Sequence, residues 1–205
     1  MSLSGVIICA VSVGAFKIAA LGVDPFQSLM SGLDKLIPIS FGTLYVIVNL
    51  LLLTFSLVVD RSKIGIATFI NLFLLGYITE FSYAFLQTVL VDPSILTRVI
   101  CLVIGIVVMC FGSALYMTAD LGVSTYDAVA IALAGKWKIA PFQYCRISTD
   151  LVCVLSGVII FLIGGGTFGA IPTIAGVGTI ITAFFMGPLI ELFNVKFARP
   201  LLNKA

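Results

Sequence analysis

Six runs of about 20 apolar residues, each long enough to cross a bilayer as a helix, constrain this chain more than any other feature. They are Ser4 to Leu21, Phe41 to Val59, Ile64 to Leu86, Val99 to Ala119, Phe142 to Ile163 and Gly169 to Phe193. Of the 205 residues, 61% are hydrophobic and only 10% charged. No soluble domain of this size can hide that much apolar surface, whose usual share is about 45–50%. The expected fold class is an all-α membrane protein with six transmembrane helices. The first run, SGVIICAVSVGAFKIAAL, lacks a basic leader and is read as a retained span rather than a signal peptide. Two further segments, Pro25 to Leu36 and Thr125 to Ala134, have helical character but are too short to cross. They are expected to be half-helices or surface helices, each following a break.

The distribution of basic residues tests the count of spans, because cytoplasmic loops carry the excess of Lys and Arg. Six spans put Arg61, Lys63, Lys136, Lys138, Arg146, Lys196, Arg199 and Lys204 on or near one face, against Lys35 and Arg98 on the other, with Lys17 inside the first span. Those are all 11 basic residues, and the asymmetry predicts both termini in the cytoplasm. Counting either short segment as a full span would spoil it.

The chain also repeats itself. AFKIAALGVDPFQSLMSGL, from Ala15, aligns with LYMTADLGVSTYDAVAIAL, from Leu115, at an offset of 100: Ala19, Leu21, Gly22, Val23 and Leu33 recur as Ala119, Leu121, Gly122, Val123 and Leu133. Gly65, Thr68, Gly76 and Glu80 then recur as Gly176, Thr179, Gly187 and Glu191 at an offset of 111. The extra 11 residues are assigned to the glycine-rich stretch GGGTFGAIP, Gly164 to Pro172. This predicts one membrane domain of two three-helix repeats, 1–97 and 98–205, each with a short half-helix after a Gly-led break. With an odd number of spans in each, the second repeat is inverted, so that LGVDPF faces outside and LGVSTYDA faces the cytoplasm.

The pattern LGVDPFQSLMSGL and its echo LGVSTYDAVAIAL resemble the YczE/YyaS/YitT group of bacterial membrane proteins, over nearly the whole chain. The resemblance implies a multi-pass protein of the bacterial cytoplasmic (inner) membrane. It carries no established biochemistry with it. The second copy departs from the first in having Ser124 and Thr125 where Asp24 and Pro25 stand.

Inverted three-plus-three repeats recur in secondary transporters, where the halves rock around a site at their interface. A permease moving a small polar or anionic molecule by alternating access is therefore the leading expectation. The alternative is a non-transport membrane partner or regulator. A membrane enzyme is not expected, since His is absent and the carboxylates are scattered. No Walker A motif or CxxC is present, and the five cysteines lie in apolar runs, so no cofactor or metal is expected. The expected partners are a small-molecule substrate and the lipid bilayer, with no nucleic acid; homo-oligomerisation is left open.

The candidate site residues follow from the breaks and from charges inside spans. Gly22, Pro25 and Gly122 are helix-breaking positions, and Asp24 and Ser124 are placed as N-caps of the short helices. Two helix N-termini aimed into the bundle would cradle an anionic or polar group; the competing reading makes both breaks ordinary turns at the membrane surface. Thr125 stands in the second break, and Tyr126 and Asp127 either bind a cation or proton or solvate the cytoplasmic face. Asp150, about eight residues into the fifth span with Arg146 one turn before it, is the strongest candidate for binding or coupling, because a carboxylate at that depth needs a partner or water. A structural ion pair with Arg146 or Lys17 is the other reading. Lys17 either snorkels to the outer surface or pairs with Asp24 or Glu80. Glu80 and Glu191 are symmetric gates or interfacial charges. Gly169, Gly176, Gly178 and Gly187, alternating with Thr173 and Thr179, predict close packing in the sixth span, with kinks at Pro172 and Pro188.

Overall fold

A computed structural model describes residues 1–61 and 64–202, which leaves Lys63 and Lys204 of the charge argument outside the described residues. The chain is helical throughout, with no strand among the described residues. In chain order the helices are α1 (Ser2–Ala19), α2 (Pro25–Leu36), α3 (Phe41–Val59), α4 (Ile66–Val89), α5 (Ile95–Thr118), α6 (Thr125–Gly135), α7 (Phe142–Ile163), α8 (Ile171–Ile174), α9 (Val177–Phe193) and α10 (Arg199–Leu202). Six segments are long and apolar enough to cross a membrane: α1, α3, α4, α5, most of α7, and the stretch Phe168–Leu202.

Helix starts are written in local chemistry. The side chains of Asp24, Ser40, Ser94 and Ser124 each accept the backbone N–H three residues on, which sets the first turns of α2, α3, α5 and α6. Pro25 occupies the first position of α2, where its missing N–H costs nothing. The cap at Ser94 starts α5 four residues before the Val99 expected from hydropathy alone. Gly65 and Gly176 precede α4 and α9 in extended conformations, and each N–H donates to a threonine hydroxyl three residues later, Thr68 and Thr179, both at 3.2 Å.

The sixth span, expected from Gly169 to Phe193 with kinks at Pro172 and Pro188, is interrupted at a different place. It is broken at Ala175 and Gly176 into the turn Phe168–Ala170 with α8, and then α9, before closing in a π-helical turn at Asn194–Ala198. The cause is tertiary. The Gly178 N–H donates to the carbonyl of Leu21 at 2.8 Å, and a Cβ on Gly176 would lie 2.6 Å from that same oxygen. Pro172 sits in the first turn of α8, where proline is tolerated, and Pro188 lies inside α9.

α1 forms the centre, packed between α4 and α5. Backbones approach closely there: a Cβ on Gly5 would lie 2.7 Å from the Gly112 carbonyl oxygen. Around this core α2 lies on α7, α3 on α4, α5 on α9, and α6 between α3 and α7. Phe16, Met30, Leu44 and Leu72 are fully buried, while Val58, Phe81 and Phe168 point outward, an arrangement suited to lipid rather than water.

Candidate functional site

The two glycine turns come first, because they position the rest. Ala20 and Gly22 have φ of 50° and 102°; Asp120 and Gly122 have φ of 49° and 109°. This left-handed sequence aims the carbonyls of Leu21 and Leu121 away from their own helices and onto the first turns of distant ones. Leu21 O accepts from Gly178 N–H at 2.8 Å, and Leu121 O accepts from Ala67 N–H at 2.9 Å. One first-turn amide of each helix, Gly178 of α9 and Ala67 of α4, is thereby satisfied by a distant backbone carbonyl. The Thr68 hydroxyl adds a bond to Val123 O at 2.7 Å.

Beyond the second turn, α6 and α7 assemble a buried polar cluster. The Asp127 carboxylate accepts from the Ser124 hydroxyl at 2.6 Å, from the Tyr116 hydroxyl at 2.7 Å and from the Arg146 guanidinium. One turn along α7, Asp150 accepts from the Tyr126 hydroxyl at 2.5 Å and from Arg146 Nε at 3.3 Å. Arg146 thus bridges both carboxylates, with its guanidinium carbon 4.5 Å from the centre of the Tyr126 ring. Asp150 is 5% exposed and pairs with Arg146, the ion pair that stands as the alternative to a binding or coupling role.

Around the cluster lies an aromatic and amide shell. Phe26 of α2 stacks on Tyr126 at 5.0 Å and meets Tyr45 of α3 edge-on at 5.9 Å. The Tyr45 hydroxyl donates to Asn71 of α4 at 3.1 Å. Thr125 donates to Asn49 of α3 at 2.5 Å, both being fully buried. The amide oxygen of Gln27 and the hydroxyl of Ser28, next along α2, are buried with no hydrogen-bond partner among the described residues. Asp24 is held at the start of α2, its carboxylate accepting from Gln27 N–H at 3.2 Å. Burial pushes this carboxyl up to about 6, against the opposing pull of that hydrogen bond.

Five expected residues therefore meet: Ser124, Tyr126, Asp127, Arg146 and Asp150. Thr125 joins through Asn49. The remaining candidates stand elsewhere. Lys17 lies over the ring of Phe41, its nitrogen 3.2 Å from the centroid, and no ion pair joins it to Asp24 or Glu80 among the described residues. Glu80 accepts from Gly42 N–H at 3.1 Å, placing its charge at the start of α3 where the helix dipole favours it. Glu191 is exposed and pairs with Arg199 at 3.5 Å. Tyr116, Tyr45 and Asn71 did not stand out in the sequence, although polar side chains at the ends and middles of apolar spans were the available signal.

Two cavities adjoin these elements. One, of about 390 Å³, lies against the second glycine turn between Gly65, Asp120, Gly122 and Ile131. The other, of about 170 Å³, is a cleft between α7 and α9 with Asp150, Ile147 and Val154 on one wall, Thr179 and Ala183 on the other, and Pro25 between them. No group of three or more Cys, Asp and Glu side chains suited to a metal occurs among the described residues.

Six apolar spans around a buried, charged cluster define a multi-pass α-helical membrane protein. Over residues 1–195 the chain matches DUF6198, a family of unknown function, and it belongs to that family. It is similar to the uncharacterized protein YyaS of Bacillus subtilis, 24% identical over 200 residues covering 98% of this chain and 94% of that protein. It is also similar to the uncharacterized membrane protein YczE of the same organism, 26% identical with 98% and 87% covered. An uncharacterized protein of Haemophilus influenzae is 26% identical over 141 residues, 68% of this chain and 57% of that one. These matches agree with the resemblance drawn from the LGV motifs. No solved structure matches.

Proposed function

We propose that the protein is a secondary transporter of a small polar solute, built from two inverted three-helix repeats that rock around the Tyr126, Asp127, Arg146 and Asp150 cluster. The observation that carries this reading is where the cluster lies. Phe26 of residues 1–97 stacks on Tyr126 of residues 98–205, and Thr125 of the second stretch bonds Asn49 of the first, so the charged groups sit at the junction of the two stretches. Ionised groups inside a membrane domain are costly, and a bridged pair of carboxylates at a junction is where a transporter would use them.

Paired geometry supports the repeat. Each glycine turn has its twin, each twin docks a leucine carbonyl on the first turn of a helix in the other stretch, and both receiving helices begin with Gly and a threonine three residues on. The middle helices align at an offset of 101, which sets Phe41, Tyr45 and Asn49 beside Phe142, Arg146 and Asp150. Asn49 and Asp150 thus become counterparts, one bound to Thr125 and the other facing Pro25. In this reading the protein lies in a bacterial inner membrane with both termini cytoplasmic. It uses no cofactor and performs no catalysis.

The charges lean toward a cationic solute. Two carboxylates share one guanidinium, Asp24 adds a third acid at the start of α2, and the first turn of α6 already holds Asp127. An anion at either short helix would face a carboxylate. The test is a solute screen on purified protein by thermal shift, followed by uptake into proteoliposomes, with wild type and Asp150→Asn in parallel. Stabilisation by one class of solute that disappears in the variant supports transport. Silence toward every solute in both assays moves the protein to the class of membrane partners and regulators.

A further inference from the structure

Resting on that transport reading, we propose that the cargo is a small monovalent organic ammonium ion with one aromatic or branched alkyl group, entering sideways from the lipid through the cleft between α7 and α9 to bind against Asp150. The cleft has about 170 Å³, and an apolar cavity of about 150 Å³ holds a benzene-sized guest. Asp150 is the only charged side chain among the residues lining it, and nearly all the rest of its wall is apolar. The lips are apolar too: Leu151, Ile180 and Phe184 are 57%, 61% and 61% exposed, facing the region that lipid tails would occupy. A cation with a hydrophobic body partitions into such a boundary, whereas a hydrated inorganic ion does not.

The distribution of donors explains why Asp150 rather than Asp127 receives it. Asp127 is held by Ser124, Tyr116 and Arg146, three donors in all. Asp150 has the Tyr126 hydroxyl and a single guanidinium nitrogen. One guanidinium shared by two carboxylates leaves one negative charge in excess, and Asp150 is the carboxylate that borders the cleft.

The counterpart position shows what closing the cleft requires. Across from Asn49 stands Thr125, whose hydroxyl fills that place with a hydrogen bond, and α3 packs on α4 beside it. Across from Asp150 stands Pro25, which has neither a side-chain nor a backbone donor to give. Among the described residues the donors to Asp150 are Tyr126 and Arg146, both of the second stretch, whereas Asn49 is bound across the junction by Thr125.

The experiment uses the full chain and three probes of similar shape: benzyltrimethylammonium, its neutral isostere 2,2-dimethylpropylbenzene, and the anion phenylmethanesulfonate. The cation should raise the unfolding temperature of the purified protein with saturable dose dependence, and labelled cation should accumulate in proteoliposomes. Asp150→Asn should weaken its binding about tenfold or more, the loss expected for one close charge pair. Ala183→Phe, which fills the cleft, should abolish it; Leu151→Trp, on an exposed rim, serves the same purpose where the interior change fails to fold. Equal response to the neutral isostere, or binding that survives both cleft variants, would overturn the proposal. Asp150-dependent uptake of some anionic or neutral solute with none of the cation would sink this inference while leaving the transport reading intact. No uptake of any solute would sink both.

Discussion

Gly22 and Gly176 meet backbone to backbone: a Cβ on Gly22 would lie 2.6 Å from the Gly176 nitrogen and 2.7 Å from the Thr179 hydroxyl oxygen. Gly122 stands in the same relation to Gly65 and Thr68, at 2.5 and 2.8 Å. Both turns have φ above 100°, so a side chain there is strained by conformation as well as by space. Gly22→Ala and Gly122→Ala should each cost about 1–3 kcal/mol from φ alone, with the backbone clash added. Thermal unfolding in detergent reads this. Wild-type stability in either variant would mean that the turns are not docked as described.

Tyr126 separates two contributions to the cluster. Tyr126→Phe removes the hydroxyl that Asp150 accepts while keeping the ring on Phe26, and should cost about 1–3 kcal/mol for a buried acceptor left with one donor fewer. Tyr126→Ala removes the stack as well and should cost more. Equal losses in the two variants would assign the stability to the hydroxyl alone.

Arg146→Gln should be the most damaging change in the cluster, because it strands two buried carboxylates. The expected loss is about 3–5 kcal/mol, as for breaking a buried ion pair from one side. Adding Asp127→Asn or Asp150→Asn to Arg146→Gln should recover part of it. A double variant less stable than Arg146→Gln would contradict the bridging role of the guanidinium.

Asp24 gives a pH dependence. Its carboxyl is raised from 3.8 to about 6 in the folded protein, so the folded state holds its proton longer than the unfolded state does. Stability from this group is present below about pH 4 and is lost as pH rises to about 6. Asn is also a good N-cap, so Asp24→Asn should keep the start of α2 and flatten that part of the profile. Unfolding temperature against pH for both proteins checks the sign: a wild type that gains more stability than the variant over this interval would refute it.

Local chemistry made some of this legible and distance hid the rest. Asp24 followed by Pro25 marks the start of α2, and the expected Pro25 to Leu36 matches the helix end to end. Arg146 and Asp150 meet as their spacing of four dictates. The break at Gly176 escaped notice because its cause, the Leu21 carbonyl, lies more than 150 residues away in the chain. Lys17 covers the face of Phe41, a partner 24 residues on that nothing in the sequence near it announces. Asn49, in the middle of an apolar span, gives no local sign that it accepts a hydrogen bond from Thr125, 76 residues on. Tyr116 is a further case: nothing near it in sequence announces that its hydroxyl reaches Asp127, 11 residues on.

The two docked leucine carbonyls have a mechanical consequence. Leu21 is latched to α9 and Leu121 to α4, so each latch joins an early piece of chain to a late one, the second nested within the first along the sequence. Any displacement of residues 1–97 against residues 98–205 would therefore strain both bonds together.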